Sequence, residues 1–150
     1  MDAASVEKIA QNLPNFGGIF YADQLAHVKV LSYPVSFIIY ENAHWSSIYI
    51  DVDSVEIMDS AGLLPSEDVN KTLKNFICNL LPGKDFSATP QLQSQDSQAC
   101  GKFALSFLYY RTLNGMDLSK FCEKFSSNYD LNESKINEIF DEIEIWEKNL

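Results

Sequence analysis

The sequence predicts an α+β fold, a small and mainly antiparallel sheet packed against a central helix that begins at Cys100, with further helices around it. Three features predict it. Segments of helical and strand period alternate along the chain. Three short segments rich in β-branched and aromatic residues crowd into positions 35–59. The stretch 100–113 is apolar over most of its circumference, as a helix buried at the centre of a domain must be. At 150 residues and 46% hydrophobic content the chain can bury one core without disulfides or metal. No repeat, low-complexity tract or Gly/Ser linker divides it, so residues 1–150 are read as one domain.

In chain order, Val6, Ile9, Ala10 and Leu13 share one helical face, and Pro14 followed by Gly17 and Gly18 ends that helix. Residues 35–40, 46–51 and 55–59 read as neighbouring strands separated by polar breaks. After Pro65, Ser66 is placed to cap a helix with Glu67 and Asp68 in its first turn, and Leu73, Phe76, Ile77 and Leu80 recur at helical spacing before Pro82-Gly83. The helix from Cys100 meets a left-handed stop at Asn114-Gly115. Two amphipathic helices follow, one through Leu118, Phe121 and Phe125, the other through Ile136, Ile139, Phe140, Ile143 and Trp146 with a solvated acidic face.

Composition excludes several function classes. A formal net charge of -10 argues against binding phosphate backbones, since that affinity comes from Lys and Arg displacing counterions. A basic partner fits better than nucleic acid. No segment approaches the roughly 20 apolar residues that span a bilayer, and the N-terminus lacks the basic stretch and apolar run of a signal peptide, so neither membrane insertion nor secretion is expected. The three cysteines, Cys78, Cys100 and Cys122, contain no CxxC pair and support neither a disulfide framework nor a metal site.

Cys100 is the residue around which chemistry can be built. A reactive thiol needs its anion stabilised by a helix N-terminus, exposed amides and a nearby imidazole. Cys100 opens a helix and precedes Gly101, which has no side chain to crowd a substrate carbonyl. The helix end supplies only ~0.3–1 kcal/mol, so an imidazolium must supply most of the remainder. By position alone Cys100 reads equally as a small buried residue, and Cys78 and Cys122, beside Ile77 and Phe121, read as core residues. His44 opens a strand and precedes Trp45, whereas His27 has no acid or turn signal beside it.

A histidine base needs an acceptor on its other ring nitrogen. Asp51, Asp53, Glu56 and Asp59 are candidates. If 46–51 and 55–59 form a hairpin turning near Val52-Asp53, Asp59 returns to the His44 end, roughly opposite Ser46. Asp51 lies about 23 Å from His44 along the strand at ~3.3 Å per residue, beyond any carboxylate's reach. An oxyanion would need donors, and Gln91, Gln93, Gln95 and Gln98 all precede the cysteine. Sequence physics does not choose among the four, and a solvated glutamine-rich loop is the plainer reading.

Taken in order, His44-Trp45, Asp59-Ser60-Ala61-Gly62, Gln93 and Ala99-Cys100-Gly101-Lys102-Phe103 resemble the adenovirus endopeptidases and, more distantly, the proteases that process ubiquitin-like proteins. The stretch from Leu92 to Cys100 is similar to the adenoviral nucleophile segment, in which the oxyanion glutamine falls at Gln93. Phe16-Gly17-Gly18-Ile19-Phe20 extends the likeness upstream, so it covers about residues 5–115. The chain departs from that family in carrying Asp for Glu, in a shorter loop to that acid, and in its acidic charge, which counts against the stimulation by DNA the family would imply without deciding it.

The resemblance implies a thiol protease with Cys100 as nucleophile, His44 as base, Asp59 and Gln93 in support, Trp45 and Gly101 lining the substrate groove, and no cofactor or metal. It implies a polypeptide substrate cut at Gly-Gly or Gly-X-Gly sites, such as a capsid or core precursor during virion maturation, with an activating peptide left open. It also implies action in the virion and host cell interior, nucleus or cytoplasm. The alternatives are an isopeptidase removing ubiquitin-like modifiers, a non-catalytic interaction module in a protease fold, and an acyltransferase built on the same triad.

Overall fold

The computed structural model describes residues 1–62, 75, 76, 78, 79 and 82–150. Helix α1 (Ala3–Ala10) is capped by Asp2, whose carboxylate accepts from the Ser5 N–H, and it buries Val6, Ile9 and Ala10. Strands β2 (Val35–Glu41) and β3 (His44–Ile50) form a hairpin through Asn42 and Ala43, both at positive φ (52° and 59°). Such a two-residue turn matches the right-handed twist of the strands it joins. It sets Glu41 opposite His44. Strand β4 (Ser54–Met58) returns along β3 with Val55 opposite Ile50 and Met58 opposite Ser47, so the turn falls around Val52-Asp53, where the sequence predicts it.

Two edge strands complete the sheet in the order β1-β2-β3-β4-β5. Strand β1 (Phe16–Tyr21) runs parallel to β2, and β5 (Asp85–Ala88) runs parallel to β4. The sheet is therefore mixed. The expectation of a mainly antiparallel sheet holds for the three central strands and is corrected at both edges. Gly17 and Gly18, read from sequence as part of the stop after the first helix, lie inside β1. A Cβ at Gly17 would run into the Phe37 ring, so only glycine lets β1 approach β2.

Alternation along the strands sends Phe37, Ile39, Ile48, Ile50, Val55 and Ile57 to one face, where Leu25 of the 3-10 segment Ala22–His27 and Phe76 cover them. The other face sets Ile38, Trp45, Tyr49 and Met58 against α1, α2 (Cys100–Asn114) and α4 (Tyr129–Lys148). Cover on both faces explains why β2–β4 are buried along most of their length instead of alternating polar outward.

Helix α2 is the centre of that layer. Phe103, Leu105, Phe107 and Leu108 are fully buried, each contributing ~1.5–3 kcal/mol of apolar burial. Gly115, left-handed at φ 67°, ends the helix as Asn114-Gly115 predicts. Polar contacts fix α2 against the sheet. Ser47 Oγ donates to the Ala104 carbonyl at 3.0 Å. Arg111 Nε donates to Glu56 Oε1 at 2.7 Å, and Glu56 Oε2 accepts from the Leu118 N–H at 2.7 Å. The first of these holds the beginning of α2, near Cys100, against β3, and the others hold its far end and the following loop against β4.

Helix α3 (Leu118–Cys122) is shorter than the sequence predicts, and Phe125 reaches the core from beyond its end. Helix α4 buries Ile136, Ile139, Phe140 and Ile143 as predicted, with Trp146 packed at their edge. The helix expected after Pro65 lies outside the described residues, apart from Phe76 and its described neighbours Asn75, Cys78 and Asn79, which are helical.

Candidate active site

The hairpin that opens at His44 and the helix that opens at Cys100 meet at one edge of the sheet. His44 Nε2 lies 2.7 Å from Asp59 Oδ1. The β3–β4 register, carried one step past Met58, puts Asp59 beside Ser46, so the carboxylate reaches His44 as a diagonal neighbour. Asp59 is buried, and its position is held on all sides. Its N–H donates to Thr89 Oγ1 at 3.0 Å, its carbonyl accepts from the same hydroxyl at 2.6 Å, and its Oδ1 also accepts from the Ala61 N–H at 3.1 Å. With Nε2 engaged by the carboxylate, Nδ1 is the ring nitrogen left for the thiol, and Cys100 is among the neighbours that raise the His44 imidazole.

Cys100 is 7% exposed and sits at the first residue of α2. The cap position is Ala99, which offers no side-chain acceptor, so no cap side chain competes with an anion for the first-turn N–H groups of α2. The Trp45 N–H points at Cys100 Sγ across 3.5 Å. Burial pushes the thiol up from its ordinary value, but the hydrogen bond from His44, the Trp45 N–H, the imidazolium charge and the Gly101 N–H together bring it below 9.0. Burial likewise opposes the charged imidazole. The hydrogen bonds to Asp59 and Cys100 and their charges override it and raise His44 to about 10. Both shifts favour the same state, a thiolate paired with an imidazolium. Such a pair can act chemically as a nucleophile with a proton donor beside it.

Of the four glutamines before Cys100, only Gln93 is buried. Its Oε1 accepts from Ser60 Oγ at 2.5 Å, and its Nε2 donates to the Ser97 carbonyl at 3.2 Å. It therefore spans from the residue after Asp59 to the loop three residues before Cys100. Gln91 is exposed and donates to the Gln93 carbonyl at 3.0 Å. Glu56 is engaged by Arg111 and Leu118, and His27 is exposed on the 3-10 segment.

Trp45 and Gly101 flank the pair. The Trp45 ring packs on Tyr40 with centroids 4.6 Å apart, and its indole N–H donates to the Met1 carbonyl at 3.2 Å. A Cβ placed on Gly101 would stand 3.3 Å from both Met1 Sδ and Trp45 Cδ1, so this wall of the site is closely covered. Beside it, Met1, Ile19, Tyr40 and Trp45 border a groove of about 330 Å³.

Cys122 is pushed up to about 11 by burial and by the charge of Glu56, while Cys78 is exposed. Among the described residues no cluster of three or more His, Cys, Asp or Glu could hold a metal ion, and no helix is long and apolar enough to cross a membrane. Sequence reasoning misses Thr89, Ser60 and Asn132 as supports. Asn132, from α4, donates to the Leu92 carbonyl at 2.9 Å and so fixes the Gln93 loop. Only Ser60 carries a sequence signal, its adjacency to Asp59.

No family model and no curated protein matches the sequence. Solved structures do match the fold. The central domain of the uncharacterized Lpg1148 protein from Legionella pneumophila aligns at TM-score 0.57 and 10% identity, covering 97% of each chain. The Xanthomonas campestris effector protein XopD, bound to ubiquitin, aligns at TM-score 0.53 and 15% identity over 92% of this chain and 90% of its own. ChlaDub1 from Chlamydia trachomatis aligns at TM-score 0.52 and 16% identity over 78% of this chain and 61% of its own. Other neighbours are longer, and the chain spans about half the length of two of them. The chain thus shares the α+β fold of XopD, ChlaDub1 and the Lpg1148 domain.

Proposed function

We propose that this chain is a cysteine peptidase in which Cys100 attacks, His44 carries the proton, and Asp59 and Gln93 support them. The observation that supports it most is the chain of contacts Asp59–His44–Cys100, with the sulfur at an uncapped helix start. In this reaction the Cys100 thiolate adds to a substrate carbonyl carbon. The resulting oxyanion accepts hydrogen bonds from the Cys100 N–H and the Gln93 side-chain amide. His44 delivers its Nδ1 proton to the leaving amine, whose C–N bond breaks and leaves a thioester. Water, deprotonated by the now neutral His44, then hydrolyses the thioester and releases the acid and the free thiol. Trp45 and Gly101 narrow the groove, which suits a scissile bond flanked by small residues.

The biological role we favour is an endopeptidase of adenain type that matures viral capsid or core precursors at Gly-Gly or Gly-X-Gly sites inside the virion or host cell. It rests on the order His44-Trp45, Asp59, Gln93 and Cys100-Gly101. A second reading has its own support: the fold is shared nearly end to end with XopD, solved bound to ubiquitin. On it, the enzyme releases ubiquitin-like modifiers through the same chemistry. A panel of ubiquitin and ubiquitin-like activity probes set against Gly-Gly and Gly-X-Gly precursor peptides separates the two.

The test of the common core is alkylation followed by peptide mapping. At neutral pH an iodoacetamide probe is expected to modify Cys100 faster than Cys78 or Cys122, and Cys100→Ala is expected to abolish turnover with the fold intact. Wild-type turnover by that variant, or slow labelling of Cys100, would sink the peptidase reading and leave a non-catalytic module.

A further inference from the structure

We propose that Ser60 is a positioning residue that aims the Gln93 amide at the oxyanion, an inference that rests on the peptidase reading. The Ser97 carbonyl can only accept a hydrogen bond, so the Gln93 group facing it at 3.2 Å must be the NH₂ end. Oε1 then faces Ser60 Oγ at 2.5 Å, and the serine hydroxyl must donate. With those two bonds made, one hydrogen of Nε2 has no acceptor among the described residues, and it is the one available to a negative oxygen near Cys100.

Ser60 is itself fixed. It is 1% exposed, and its carbonyl accepts from the Leu92 N–H at 2.8 Å and the Gln93 N–H at 3.1 Å. One residue therefore grips Gln93 at both backbone and side chain while its neighbour, Asp59, orients His44. Without the hydroxyl, Oε1 is a buried acceptor with no donor, and the amide turns to find one. The NH₂ end then leaves the oxyanion, with the Cys100–His44 pair untouched.

The discriminating experiment compares two reactions of the same sulfur. Acylation by the p-nitrophenyl ester of acetyl-Gly-Gly, followed as a burst of p-nitrophenolate, builds an oxyanion; alkylation by iodoacetamide does not. Ser60→Ala is expected to slow the burst about 10- to 100-fold, at or below the 10²- to 10³-fold cost of deleting an oxyanion donor, with alkylation across pH unchanged. In the Gln93→Ala background, adding Ser60→Ala is expected to slow the burst no further.

An equal loss in both backgrounds would mean that Ser60 acts on structure alone, and an unchanged burst in the single variant would overturn the inference directly. A fall in alkylation would also overturn it, since Ser60 would then act through Asp59 and His44. A wild-type protein that alkylates rapidly but gives no burst would remove the peptidase reading, and this inference with it.

Discussion

The two halves of the site are held by different kinds of force. His44 stands on β3, paired with Glu41 in the β2–β3 ladder, and Asp59 follows directly on β4, with its backbone N–H and carbonyl further tied to the Thr89 hydroxyl. Gln93 stands on an irregular loop, and it is held by the Ser60 and Ser97 contacts to its amide and by Asn132 on the Leu92 carbonyl. A residue placed by a ladder keeps its position when a neighbouring side chain is changed. A residue placed by polar satisfaction loses its position with its partners. The acid–base half should therefore fail chemically while staying in place, and the amide half should fail geometrically.

The largest effect tests the chemical failure. His44→Ala removes both the hydrogen bond that lowers the Cys100 thiol and the proton donor to the leaving group, so turnover at pH 7 is expected to fall on the order of 10³-fold or more. Thermal stability should change by less than a core deletion would cost, because His44 is half-buried and its strand position belongs to the ladder. Parallel kinetics and melting curves check both. A collapse in melting temperature would show that the ladder does not hold this half by itself.

Asp59→Asn is the next step down. The carboxylate is the leading contributor lifting His44 against burial, so its loss lets the imidazolium fall from about 10 toward the ordinary 6.5. The sign follows directly: on the proposed peptidase mechanism catalysis needs the charged imidazole, so the alkaline limb of kcat/KM moves to lower pH. The fraction of Cys100 present as thiolate at pH 7 also shrinks. A pH profile in which the wild type holds activity at pH 8–9 and the variant does not is the expected result, and superimposable profiles would take Asp59 out of the relay.

Asn132→Ala probes the amide half from outside. The side chain donates to Leu92 and Ser126 carbonyls and accepts from the Ser126 N–H, so three bonds, one buried and two part-buried, go at once. The expected cost is about 2–3 kcal/mol of stability, with slower acylation and undisturbed alkylation. Denaturant titration and the two labelling reactions read these separately. A variant in which acylation and alkylation fall together would dissolve the distinction between the halves.

The same distinction governs what the sequence makes legible. The hairpin can be found by counting, since two short runs rich in β-branched and aromatic residues, 46–51 and 55–59, flank a polar break that places the turn near Val52-Asp53 and brings Asp59 back toward His44. The stop at Gly115 and the burial of α2 follow from composition in the same way. Gln93 cannot be found so. Nothing local distinguishes it from Gln91, Gln95 and Gln98, and its burial depends on Ser60 and Asn132, 33 and 39 positions away. The edge strands escape for another reason. β1 carries two glycines whose purpose is close approach to Phe37, and β5 is short, polar and mostly exposed, so neither shows a strand's usual signature. Thr89 is a lone hydroxyl in a loop with no pattern around it.

The smallest expected effect gives the finest test of how the ladder holds His44. The turn before it puts Ala43 at φ 59°, a left-handed conformation in which a Cβ is strained and which this turn type ordinarily gives to glycine. Ala43→Gly relieves that strain while freeing the unfolded chain, and the two oppose, so a net gain of about 0.5–1 kcal/mol is expected by denaturant titration. Glu41 stays opposite His44 whichever residue occupies the turn, because the pairing continues through Tyr40 and Trp45. Alkylation of Cys100 in Ala43→Gly should then match the wild type at every pH. If the rate changes although stability rises, the imidazole is held against the sulfur by the strained turn and not by the ladder behind it.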